Sequence, residues 1–163
     1  MELRTLIIYY SRTGTTTTIA MALANRLDAD TREISCDRYT GGIFRYLLAG
    51  YDSVRGNLPE IEMAEFAAEQ YDLVLIGMPI WTSHPALPIR TFLDRKPELP
   101  ARVAVFLTHG GHSPAQTCID ELAELLPVPI EAKLTLNSAQ VSGGKFAVDV
   151  SEFASELENR SGQ

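Results

Sequence analysis

With 163 residues, the chain has the length of one domain and can bury a core of its own without disulfides or metals. Hydrophobic residues make up 45% and charged residues 21%, which is too apolar for a disordered chain. Fourteen Lys and Arg against 21 Asp and Glu leave a net charge of −7, which excludes the basic footprint of a nucleic-acid binder and disfavours anionic membrane surfaces.

The chain opens on a continuous apolar run, Leu3–Tyr10, which reads as a strand buried on both faces. Thr15–Leu27 follows as a helix, with Ile19, Ala20, Leu23, Ala24 and Leu27 on one side. Thr31–Ser35 reads as a short strand, Asp72–Met78 as a third and fully apolar one, and Ile89, Phe92 and Leu93 as a short helix opened by Pro88. Arg102–Thr108 is another buried strand. Ser113 as N-cap, Pro114 at the first helical position and Gln116 as a capping-box partner then start a helix carrying Ile119, Leu122, Leu125 and Leu126. Ile130–Leu136 reads as a fifth strand and Asp149–Leu157 as the last helix, followed by a polar tail at 160–163.

Apolar strands alternating with helices predict a doubly wound α/β fold. Its five-stranded parallel sheet takes the order 2-1-3-4-5, within a single domain spanning 1–163. Ligands of such sheets bind outside the carboxyl ends of strands 1, 3 and 4. The insertion-like segment 39–57 breaks the alternation. Phe44, Leu47, Leu48 and Tyr51 have helical spacing within it, and Arg38, Arg45 and Arg55 are interspersed. It is either a lid or dimer contact beside the site, with Ile61–Ala68 as the crossover helix, or the sheet-covering crossover helix itself.

Three loops fall at the carboxyl ends. The first, Ser11-Arg12-Thr13-Gly14-Thr15-Thr16, leaves a buried strand and enters a helix. Unpaired N–H groups, hydroxyls and a glycine at that position suit a phosphate. The loop lacks the GK[ST] of a Walker A motif, since no Lys precedes Lys96, and it lacks GxGxxG. Neither Cys36 nor Cys118 begins a Cys-x5-Arg phosphatase loop. The second loop, Met78 to Pro85, holds the single Trp81, a stacking surface for a flat heterocycle or else a core residue. The third, Thr108-His109-Gly110-Gly111-His112, has paired glycines that admit close backbone approach.

Together the three loops resemble the flavodoxin-like FMN-binding family, over nearly the whole chain. The first loop resembles its Thr/Ser-x-Thr-Gly-x-Thr phosphate loop, Tyr71–Trp81 its third strand and first ring loop, and Phe106–Gly111 its second ring loop. The resemblance implies FMN with its phosphate on Ser11, Arg12, Thr13, Gly14, Thr15 and Thr16. It implies a flavin ring held by Pro79, Ile80, Trp81 and Thr82 and by Thr108, His109, Gly110 and Gly111.

The third loop carries His109 where small electron carriers usually offer a second aromatic. This leans the reading towards NAD(P)H-dependent reduction of a quinone-like acceptor, with His109 stabilising anionic charge on the ring. The alternative is a flavodoxin that carries single electrons between protein partners. A homodimer is a further expectation. Two cysteines without zinc spacing, no run long enough to span a bilayer and no basic leader predict a reduced, cytoplasmic protein without a resident metal.

Overall fold

A computed structural model describes residues 2–111 and 114–162. Five parallel strands form the sheet: β1 (Thr5–Tyr9), β2 (Asp30–Glu33), β3 (Leu73–Trp81), β5 (Arg102–His109) and β6 (Ile130–Asn137). Their order is β2-β1-β3-β5-β6, with the two-residue β4 (His84–Pro85) folded back antiparallel on β3. Counted without β4, this is the expected 2-1-3-4-5.

Side chains alternate between the two faces of each strand, so each apolar run feeds two cores. Leu6, Ile8 and Tyr10 join Val74, Ile76, Val103 and Val105 on one face. Ile7 and Tyr9 join Leu73, Leu75, Ala104 and Phe106 on the other. The first face is covered by α3 (Leu87–Asp94) and α4 (Ala115–Leu125), the second by α1 (Thr15–Leu27) and α6 (Ala147–Arg160). A short α5 (Ser138–Ser142) follows β6 directly. Gly77 lies opposite Phe106 in the β3–β5 register. A Cβ there would stand 1.9 Å from the Phe106 ring, so only glycine fits.

Four expectations are corrected. The segment 61–68 holds no helix: Ser35 and Glu62 form an isolated antiparallel bridge there, and only a single turn at Ala68–Gln70 precedes β3. The crossover helix is instead α2 (Ile43–Arg55), capped by Gly42 and Gly56. Nor does α2 cover the sheet with the residues expected. Phe44, Leu47 and Tyr51 are 74%, 62% and 55% exposed, and Leu48 alone of the four packs against the core.

At α4, Pro114 is the N-cap rather than the first helical residue, and Ser113 lies outside the described residues. The Gln116 side chain donates to Asp120 instead of closing a capping box. The last helix begins two residues earlier than expected, with Asp149 inside its first turn as acceptor of the Gln140 amide.

Candidate functional site

Because β1, β3 and β5 run parallel, their carboxyl ends deliver three loops to one edge of the sheet. The first loop turns at Gly14, whose φ of +95° lies in the left-handed region that favours glycine. Its N–H donates to Ser11 Oγ at 3.1 Å, and the first intrahelical bond of α1 runs from Thr18 N–H to the Gly14 carbonyl. The N–H groups of Thr15, Thr16 and Thr17 precede that bond and have no acceptor among the described residues. Nothing stands within 4 Å of where a Gly14 Cβ would be. Open space in front of a helix N-terminus with free donors is a cradle for an anion.

The hydroxyls divide in role. Thr13 is exposed and Ser11 and Thr15 half-exposed, but Thr16 is 1% exposed and turned inward. Its Oγ1 lies 2.9 Å from Thr108 Oγ1, a buried bond joining the first loop to the third. Arg12 points away from the helix axis towards α2, donating to the carbonyls of Gly41 and Gly42 and lying over the Tyr46 ring. Its Nε is buried with no partner among the described residues.

The second loop is tighter than a loop after Met78 would be. The strand continues through Pro79, Ile80 and Trp81, and Thr82 and Ser83 make a two-residue hairpin turn with φ of 49° and 71°. Such a turn needs positive φ at both central residues and normally recruits Asn or Gly. For the β-branched Thr82 this is local strain. It is held by α2: Thr82 Oγ1 donates to Ser53 Oγ, which donates to the Trp81 carbonyl. Ile80 is buried in the core. Trp81 is half-buried and meets Tyr10 and Tyr39 edge-on, at 5.6 and 5.2 Å between centroids.

In the third loop the Gly111 N–H donates to His109 Nδ1 at 3.0 Å. That bond leaves Nε2 as the protonated nitrogen of the neutral ring. The His109 carbonyl accepts from Ser138 Oγ. Asn137 caps α5 through its Oδ1 and stands where a Gly111 Cβ would fall. Asn137 and Ser138 thus brace the third loop from the end of β6. Sequence reasoning missed both, since nothing local links them to positions 109–111.

Two charged clusters flank the site. His84 Nδ1 meets Glu121 Oε2 at 2.6 Å, and Arg90 pairs with the other oxygen of Glu121. On the other side Asp52, fully buried, accepts two bonds from Arg38, one from Tyr39 and one from Asn57. The Arg38 guanidinium holds the Asp52 carboxyl below the usual range, against the opposing effect of burial. Burial, reinforced by Asp52, pushes the Tyr39 phenol up. Burial likewise pushes the Cys118 thiol up to about 12, which makes it inert rather than nucleophilic. Among the described residues no cluster has the makings of a metal site, and no helix is long and apolar enough to cross a membrane.

Solved structures of the same shape are known. A flavoprotein from Lactobacillus acidophilus in complex with FMN is 26% identical, covering 86% of this chain and 97% of its own, with a TM-score of 0.72. A candidate flavoprotein from Bacteroides uniformis is 25% identical, covering 91% and 99%, with a TM-score of 0.69. Flavodoxin 2 from Bacillus cereus, 18% identical over 96% and 99%, shares the fold with a TM-score of 0.61. Among curated proteins no sequence matches. A family model described as flavodoxin matches residues 4–143, and the chain belongs to the flavodoxin family.

Proposed function

We propose that the chain binds FMN across its three loops and works as an oxidoreductase, taking reducing equivalents from NAD(P)H and passing them to a quinone-like acceptor. The observation that carries the cofactor assignment is the first loop, where the N–H groups of Thr15, Thr16 and Thr17 have no acceptor among the described residues and nothing stands within 4 Å of where a Gly14 Cβ would be. These donors fit a phosphate without a salt bridge, which agrees with a loop that has no Lys and whose Arg12 is turned towards α2. Pro79, Ile80, Trp81 and Thr82 and the Thr108–Gly111 turn would hold the ring from the other two strand ends. When bound, FMN supplies the redox chemistry. The chain positions it and sets the charge around it.

The support for two-electron chemistry is His109. Its Nδ1 is committed to the Gly111 N–H, so Nε2–H is the ring's donor. A donor near a flavin ring stabilises the negative charge that accompanies hydride transfer. The second reading, a one-electron carrier between proteins, rests on membership of the flavodoxin family itself.

The purified protein is expected to be yellow and to release stoichiometric FMN on heating, and Gly14→Val to lose it. A colourless protein that takes up no added FMN overturns the cofactor assignment. Sustained NAD(P)H consumption that depends on added quinone supports the oxidoreductase reading. A protein loaded with FMN but inert to NAD(P)H, and reduced in two separate one-electron steps on titration, supports the carrier instead.

A further inference from the structure

The helix α2 is built with its polarity reversed. It faces the protein through Leu48, Ala49, Asp52 and Ser53. The polar network around Asp52 and Ser53 fixes that orientation. Turned outward are Ile43, Phe44, Tyr46, Leu47, Tyr51 and Val54, each 55–79% exposed. Ile43, Leu47, Gly50 and Val54 follow one another at intervals of four, three and four residues, the seam by which one helix packs along another. Phe44 and Tyr51 flank the seam one heptad apart. Gly50, at its middle, weakens the helix, and a Cβ there would meet nothing within 4 Å. Its missing side chain answers no need of the chain's own packing. It leaves room for a second backbone.

We infer that this seam is the contact between two copies of the chain, with α2 of one packed against α2 of the other across a two-fold axis. Six large side chains, each carrying about 150–250 Å² when large and aromatic, expose in all on the order of 800 Å², the share one partner gives to a standard interface. The seam carries no charge, as the centre of an interface requires. The neighbouring arginines are spent on their own chain: Arg12 on Gly41, Gly42 and Tyr46, Arg38 on Asp52, Arg45 on the Arg38 carbonyl and Arg55 on Tyr51. They are not held out to an acidic protein or an anionic lipid surface. Asp52 is the sole acid from 38 to 59 and is buried. Two copies of a chain with charge −7 can therefore meet here without opposing carboxylates. An isologous contact closes after two subunits. It does not rest on the redox reading, since every residue of the seam lies on α2 and none belongs to the three loops.

Sedimentation velocity on the protein as purified, over about 1 to 100 µM, tests this. The expected result is a dimer for the natural chain, with Leu47→Glu raising the dissociation constant at least a hundredfold. Trp81 emission should match the natural chain, and so should the thermal midpoint at concentrations where both are monomers, showing that the exposed substitution leaves the fold intact. Gly50→Ala should also weaken the dimer although it favours the isolated helix. A monomer at every concentration overturns the inference, as does a dimer indifferent to Leu47→Glu. A monomer that instead sediments with vesicles of phosphatidylcholine and phosphatidylglycerol overturns it in favour of a lipid surface.

Discussion

Helices α1 and α2 each have 13 residues, and they are held by opposite means. In α1 the buried side is Ile19, Ala20, Leu23 and Leu27, packed on the sheet with Phe153 and Leu157 of α6. Apart from Thr16, which is buried against Thr108, its polar residues lie on the other side. In α2 the buried positions are Ala49, Asp52 and Ser53, with Leu48 packed beside them, and the other large apolar residues face out. The difference teaches that helical spacing of apolar residues identifies a helix but not the side that the chain itself buries. Apolar burial orients α1. An ion pair and a set of hydroxyl bonds orient α2, leaving its apolar side for another purpose.

The largest expected effect separates the two helices by stability. Leu23→Ala removes a fully buried side chain and should cost about 3 kcal/mol in denaturant unfolding. Leu47→Ala, measured under dilute conditions, should change stability by less than about 0.5 kcal/mol. A comparable loss at both positions would break the contrast.

Next in size is Asp52→Asn. It leaves Arg38, Tyr39 and Asn57 without the carboxylate they share. The thermal midpoint should fall by roughly 5 °C. Emission of Trp81, the single tryptophan, should move to the red as Tyr39 loosens beside it. The same substitution in a helix held like α1 would leave Trp81 unmoved.

Acid and base act on the same anchor. The Asp52 carboxyl titrates lower in the folded chain than in the unfolded one. Its contribution is therefore complete above about pH 4 and is lost as pH falls through the depressed value. The Tyr39 phenol titrates higher when folded. Its contribution is complete below about pH 10 and is lost as pH climbs beyond. Trp81 fluorescence should thus report α2 held between these limits, and it should depart before far-UV circular dichroism records loss of the sheet. Coincident transitions would show that α2 is no more pH-dependent than the rest.

Leaving aside the near-silent Leu47→Ala, the smallest effect belongs to Gly50→Ala. In dilute solution it should raise stability by about 0.5–1 kcal/mol, since the new methyl meets open space and the helix gains propensity. A loss instead would mean that Gly50 is needed within the chain.

What the sequence made legible was whatever burial on both faces dictates. The runs around Ile7, Leu75 and Val105 have no polar face to offer solvent, so a central parallel sheet with helices on both sides follows. The first loop was legible for a similar reason, because hydroxyls around a lone glycine between strand and helix have few other uses. Lost to view were arrangements made by distant partners. The orientation of α2 depends on Arg38 and Asp52, 14 residues apart, and on Ser53 reaching the Trp81 carbonyl, 28 residues on. The hairpin at Thr82 and Ser83 was hidden because neither residue advertises positive φ. The pairing of His84 with Glu121 spans 37 residues and left no local trace.

The five long strands of the sheet are all paired in parallel, and among the described residues the only pairing in the sheet closed by a tight turn is the two-residue hairpin of β3 and β4. This has a kinetic meaning. Parallel partners meet only after an intervening crossover has been brought round, so loop-closure entropy must be met before most ladder bonds form. The molecule should refold slowly for its size, with β1, β3 and β5 transiently open along their full apolar length. Refolding yield should therefore fall steeply with protein concentration, and the outward face of α2, already apolar in the finished molecule, adds a second adhesive surface to those early species.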